Sequence, residues 1–417
     1  MGQQTAKYPV QSFLTPFQVV QTTAASFLPI LFWVFPRFAV LYGEYDAQWS
    51  VLALVAAGFV IAWVQGRLNH RFPENTGIDY LVIVYGKWLG KMLGFFYVGI
   101  YILFVAIGMR TFVFLVGALY MPHTPPLVLI GLFLAVAVYG SNLGVETLAR
   151  ISSMFNPLVI LGLLGTFIAA YFEYQPFSLP LKPDRLTTVI NGTYHLMPML
   201  FGFNFYQMLG PYHKKTKHSY FYPLMSMAQN GLLIIVAILV TISMLGWEFT
   251  RKILWSLPFL FRQMYLEGFV IERVGVSMII ISVVFNVLFT ANHLWGLSLS
   301  WARLFNRERD AYRVFVFPTA LMIGLIAWSF HLETTMEYVI TVYLTPISWG
   351  ILLVIPTMTL MLAALRKKGQ PGPPKENEGE PQDNKGKKGK KDKKALKTNK
   401  KKTERKKTGL SVAKKLI

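Results

Sequence analysis

The chain has 417 residues, 54% of them hydrophobic and 15% charged, with a formal net charge of +21. It contains no cysteine, which excludes disulfides, thiolate metal sites and a cysteine nucleophile. The charge is uneven: residues 366–417 hold 20 Lys and Arg against 6 Asp and Glu, a net of +14, which leaves +7 for the apolar remainder.

In chain order, apolar segments fall at about 13–35, 49–66, 92–119, 126–142, 152–171, 187–208, 220–245, 270–300, 312–331 and 337–364. About 20 apolar residues cross the hydrocarbon core as a helix, and only helices and closed barrels satisfy their own backbone there. The segments are continuous rather than alternating, which excludes an outer-membrane barrel. The expected fold is an all-α membrane protein of about ten transmembrane helices. Met1 to Gln11 is polar and no small-residue cleavage site follows, so no cleavable signal peptide is expected. Two further stretches, Tyr80 to Lys91 and Trp247 to Tyr265, mix aromatics with Arg or Lys and read as interfacial helices.

The connections after spans two, four, six and eight carry Arg67, Arg71, Lys87, Lys91, Arg150, Lys214, Lys215, Lys217, Arg303, Arg307, Arg309 and Arg313. The opposite loops offer mainly Arg37, Lys182, Arg185, Arg251, Lys252 and Arg262. That bias predicts a multi-pass protein of an inner membrane with both termini cytoplasmic. Two regions follow: a transporter-like transmembrane domain, 1–365, and a lysine-rich tail, 366–417. The tail passes through Gly369-Gln370-Pro371-Gly372-Pro373-Pro374 into Lys/Gly/Thr low complexity, so disorder is expected. Its charge suits anionic membrane lipid. No aromatics interleave its lysines for base stacking, so nucleic-acid recognition has little support.

Function must be read from polar and helix-breaking residues inside the spans. Span one carries Thr22-Thr23-Ala24-Ala25-Ser26, then Pro29 and Pro36; a broken helix there exposes free N–H and C=O groups to a substrate or coupling ion. Span six carries His195, Pro198, Gly202, Asn204 and Gln207 and ends at Gly210-Pro211, so it too is expected to unwind. Two interrupted helices five spans apart predict an inverted repeat of spans one to five and six to ten. Arg110 lies inside span three and must face the interior or water, either anchoring a carboxylate or bonding carbonyls at a broken helix. Glu272 opens span eight, with Asn286, Thr290 and His293 further along. Glu272 and His293 are the proton-relay candidates, each with a bland alternative as a headgroup or packing residue. Span five has no Lys or Arg beyond Arg150. The His, Asp and Glu residues form no metal-like cluster. Neither a Walker loop nor a nucleophile elbow is present, so no cofactor is expected and the chain reads as a non-enzyme.

Several strings together resemble the spore germination permease family, the B-type subunits of nutrient germinant receptors, relatives of the amino acid–polyamine–organocation transporters. They are Pro36 with Asp46-Ala47-Gln48-Trp49, Arg110-Thr111-Phe112, Met121-Pro122-His123-Thr124-Pro125, Gly144-Val145-Glu146-Thr147-Leu148-Ala149-Arg150, Phe201-Gly202-Phe203-Asn204-Phe205 and Ile271-Glu272-Arg273-Val274. The likeness covers nearly all of residues 10–365. It implies ten helices in a LeuT-like 5+5 inverted repeat, in the inner membrane of a spore. It also implies a complex with a larger A-type membrane subunit and a C-type lipoprotein. The implied ligand pocket maps to Pro29, Ile30, Leu31, Arg110, Gly202, Asn204, Asn286 and Thr290. Pro29 and Leu31 stand where the family has small residues, and Asn204 where an acid is common. No acid follows Arg110 before Leu119. A pocket less polar than usual is therefore expected. The leading expectation is a receptor subunit that senses a small, amino-acid-like nutrient and triggers germination. The alternatives are a proton-coupled amino acid permease and a membrane scaffold that recruits partners or lipid through its basic tail.

Overall fold

The computed structural model describes residues 13–27, 32–173, 179–180, 182–213, 216, 218–264 and 274–369. Pro29, Ile30, Leu31 and Glu272 lie outside the described residues, as does the basic tail from Gln370 onward. The described elements are helical, apart from one isolated bridge between Leu14 and His213.

The helices run α1 (Pro16–Phe27), α2 (Phe35–Gly43), α3 (Ala47–Arg71), α4 (Gly77–Tyr85), α5 (Lys87–Leu119), α6 (Pro126–Leu143), α7 (Val145–Glu173) and α8 (Leu186–Leu196). A 3-10 stretch follows over Met197–Met208. Then come α9 (Tyr222–Leu245), α10 (Trp247–Lys252), α11 (Ser256–Gln263), α12 (Val274–Leu304), α13 (Tyr312–Ser329) and α14 (Glu333–Tyr338). The last span is completed by α15 (Thr345–Trp349) and α16 (Ile355–Leu365), joined through π-helical turns at Val339–Leu344 and Gly350–Val354.

Among the described residues, eight helices are long and apolar enough to cross a membrane. They correspond to predicted spans two to five and seven to ten; one and six, the two expected to be interrupted, are missing from the set. α1 is 12 residues long, about 18 Å at 1.5 Å per residue, too short to cross alone. Span six is α-helical only to Leu196 and continues as 12 residues of 3-10 helix, far beyond the usual three or four. Pro198 at its start cannot donate a backbone hydrogen bond, and Gly202 and the Gly210-Pro211 pair weaken the helix further.

The stretch Tyr80 to Lys91 divides differently from expectation. α4 stops at Tyr85 because Gly86 adopts φ +91°, open to glycine and strained for other residues. Span three therefore starts at Lys87, five residues earlier than its apolar run suggested. Trp247 to Gln263 forms the two short helices α10 and α11, as its mixed composition implied.

Packing follows an inverted repeat. α1 lies against the 3-10 stretch while α2 lies against α8, so the halves of span one meet opposite halves of span six. α3 of the first repeat likewise meets α9 of the second. Gly192 permits the α2–α8 crossing, since a Cβ there would overlap the Ser50 hydroxyl and crowd the Gly43 backbone. The outer helices α6 and α13 expose Leu132, Tyr139, Val314 and Phe317, as suits helices whose neighbours are lipid tails as apolar as leucine.

Candidate functional site

The two interrupted spans meet at the centre of the bundle. A Cβ at Gly202 would overlap the Ser26 carbonyl and sit 2.9 Å from Phe27 Cα, so only glycine lets the end of α1 seat on the 3-10 stretch. Side chains from two other helices bond carbonyls in the last described turn of α1. Asn230 on α9 donates to the Ala24 carbonyl at 3.0 Å. His293 on α12 stands 2.8 Å from the Ser26 carbonyl. That oxygen can only accept, so the proton resides on Nε2. Asn292 donates to the Ser26 hydroxyl at 2.9 Å, and one turn back Ser226 donates to the Val20 carbonyl at 2.9 Å.

Aromatic rings enclose this junction. His293 lies 4.3 Å from the ring of Phe289, 5.7 Å from Phe205 and 6.2 Å from Tyr101, centre to centre. The Tyr101 hydroxyl donates to the Phe201 carbonyl at 2.6 Å, tying α5 to the 3-10 stretch. Phe27 and Phe203 meet edge to face at 5.7 Å across the two breaks. Below this layer a cavity of about 20 Å³ is lined by Tyr97, Tyr101, Asn204, Phe205, His293 and Ser300. That is room for about one water, so any larger ligand requires α5, α12 and the 3-10 stretch to move apart.

Asn204 faces α3, where its Oδ1 accepts from Gln65 Nε2 and, at 3.1 Å, from Gln207 Nε2. Thr290 is buried one turn before His293, while Asn286 is buried and donates to the Ser282 carbonyl of its own helix at 2.8 Å. Arg110 is not at the junction. Two turns beyond Phe104 on α5, it donates through Nε to the Phe330 carbonyl at 2.7 Å and stacks over Phe114 at 4.1 Å. Phe330 lies just past the end of α13, so Arg110 binds a carbonyl at a helix end. Of the expected residues, the structure brings together Gly202, Asn204 and His293.

Sequence reading missed Tyr97, Tyr101 and Phe104 on α5, Asn230 on α9, and Gln65 with Asn69 on α3. Asn69 donates to the Tyr206 carbonyl at 2.7 Å. Gln65 and Asn69 stand four apart on α3, a spacing that puts both on one helix face. The aromatics carried no signal, because apolar spans are rich in such residues.

The family described as spore germination protein matches residues 13–333. The chain belongs to this family. Relatives within it include the spore germination protein YndE of Bacillus subtilis, 20% identical over 77% of this chain and 86% of YndE. Spore germination protein GerQB of Bacillus cereus is 23% identical over 70% of this chain and 80% of GerQB. Among solved structures, the chain resembles MhsT in complex with L-phenylalanine, with a TM-score of 0.56 and 11% identity, over 85% of this chain and 90% of MhsT. That likeness shows the fold: this spore germination family member is a multi-pass helical membrane protein of LeuT-like architecture.

Proposed function

We propose that the chain is a non-enzymatic membrane subunit of a spore nutrient germinant receptor, sensing a small amino-acid-like nutrient and thereby triggering germination. The observation that carries this reading is the junction at Gly202. Two interrupted helices meet there in direct contact, and the neighbouring cavity between α5, the 3-10 stretch and α12 has room for about one water, so a nutrient must move these elements apart to enter. A ligand shifts such an equilibrium only by its differential affinity for the two arrangements, and a nutrient that fits only the parted arrangement has that preference.

In this reading Pro29, Ile30, Leu31, Gly202, Asn204, Asn286 and Thr290 face the nutrient, while Arg110, bonded to the Phe330 carbonyl, stands outside the closed junction. The subunit resides in the spore inner membrane with both termini cytoplasmic. It assembles with an A-type membrane subunit and a C-type lipoprotein, and its basic tail lies against anionic lipid.

A second reading is a proton-coupled amino acid permease. It is favoured by His293, a titratable side chain bonded to the last turn of α1, with Glu272 as the other relay candidate. Deleting the gene in its sporulating host and following dipicolinate release from spores given single nutrients separates the two. Loss of response to one nutrient class, with vegetative uptake unchanged, is the expected result. Unchanged germination together with labelled amino acid uptake into proteoliposomes overturns the receptor reading in favour of the permease.

A further inference from the structure

Where α4 meets α16, positive charge gathers without acidic partners among the described residues. Arg366 donates to the Val84 carbonyl at 2.6 Å, and Lys368 Nζ to the Ile83 carbonyl at 2.6 Å. These are last-turn carbonyls of α4, the end of a helix that favours cations. Arg71 donates to the carbonyls of Ala363 at 2.9 Å and Lys368 at 2.7 Å, which fixes residues 363–368 against α3. Lys87 and Lys91 stand one turn apart at the start of α5. Lys87 is three residues past Val84, so its Cα lies within about 11 Å of the residue Arg366 holds. Lys367 is exposed between the two pinned cations. Among the described residues, none of these six cations makes an ion pair.

Beside them Trp88 is 90% exposed. Met92, Phe95 and Phe96 continue its face along α5 as exposed apolar residues. An indole beside lysines, leading into an apolar stripe, is how membrane helices mark the headgroup level.

We propose that this corner binds the headgroup of an anionic phospholipid. Lys87, Lys91 and Lys367 take the phosphate, Trp88 seats at the glycerol level, and an acyl chain follows Met92, Phe95 and Phe96. Free phosphate would use the cations and leave the indole and its stripe without a role, so the occupant is a lipid. The site belongs to the folded bundle, is separate from the charge beyond residue 370, and does not depend on the nutrient reading.

The test is native mass spectrometry of the full chain in detergent, with phosphatidylglycerol or phosphatidylcholine added at equal concentration. At least one more phosphatidylglycerol than phosphatidylcholine should be retained. The triple substitution Lys87→Gln, Lys91→Gln, Lys367→Gln should lower that retention about tenfold, with the unfolding temperature in phosphatidylcholine unchanged. The single change Lys87→Gln should give a smaller loss. A full chain carrying Lys387→Gln, Lys388→Gln, Lys390→Gln and Lys391→Gln should retain the lipid as before. The proposal fails if the triple variant keeps phosphatidylglycerol, if the tail variant loses it, if phosphatidylcholine is held equally, or if millimolar inorganic phosphate displaces it.

Discussion

The described parts of the two interrupted spans are held in different ways. Span six carries the cause of its break in its own residues: Pro198, Gly202 and Gly210-Pro211 disfavour the α-helix, and its backbone re-forms as 3-10 turns over Met197–Met208. In span one, carbonyls of α1 are bonded from elsewhere, by Asn230 and His293, with Ser226 and Asn292 beside them. In the described residues, span six shows its local cause, while α1 shows its tertiary partners. The hold on α1 can therefore be loosened by substitutions far along the chain.

Changes at the contact between the breaks should have the largest effect. Gly202→Val forces a side chain into the Ser26 carbonyl, and overpacking of this kind costs about 3 kcal/mol. A marked fall in the melting midpoint of the purified protein is expected; an unchanged midpoint would show that the two spans do not meet as described. Next comes His293→Phe, which keeps the ring but strands a buried carbonyl at a cost of about 1–3 kcal/mol. Asn230→Leu should cost a similar amount at Ala24. Because both act on α1, their combination should depart from additivity by at least about 0.5 kcal/mol in denaturant titrations. Strict additivity would mean that the end of α1 is not held as one unit.

Asp46 offers a smaller comparison between loop and core. Its carboxylate accepts from the backbone N–H groups of Asp184 at 2.7 Å and Arg185 at 2.9 Å, and from the Thr188 hydroxyl. It thereby caps α8 from the other repeat. Asp46→Ala should cost about 1 kcal/mol, as loss of a helix cap does, and faster proteolysis at residues 184–188 would report it. The smallest effect is expected at Arg37 and Glu337, paired at 2.9 Å with both side chains partly exposed. Such pairs contribute about 0.2–1 kcal/mol. Glu337→Gln should therefore barely move the midpoint, and a large shift would place this pair among the supports of α2.

Particular residues show how much was legible in advance. Ten spans and two interruptions could be read from hydrophobic runs and from Pro29, Pro198 and Gly202. The start of α5 could not, because nothing in the run Tyr80 to Lys91 says that Gly86 takes positive φ. Gly202, Asn204 and His293 were named as candidates, yet that Ser26 and Gly202 touch depends on residues 176 positions apart meeting in space. Tyr101 was invisible: its role is one hydrogen bond to Phe201, and its side chain looks like any aromatic in a lipid-facing run.

What the sequence determined by itself was the membrane class, the span count and the break in span six. Hydrophobic length and missing backbone donors act locally, wherever the chain finally packs. Only the tertiary structure decided which side chains serve the carbonyls of α1, that Arg110 binds the Phe330 carbonyl away from the junction, and that the space between α5, the 3-10 stretch and α12 holds about one water. Those outcomes depend on distances between helices, which local periodicity does not encode.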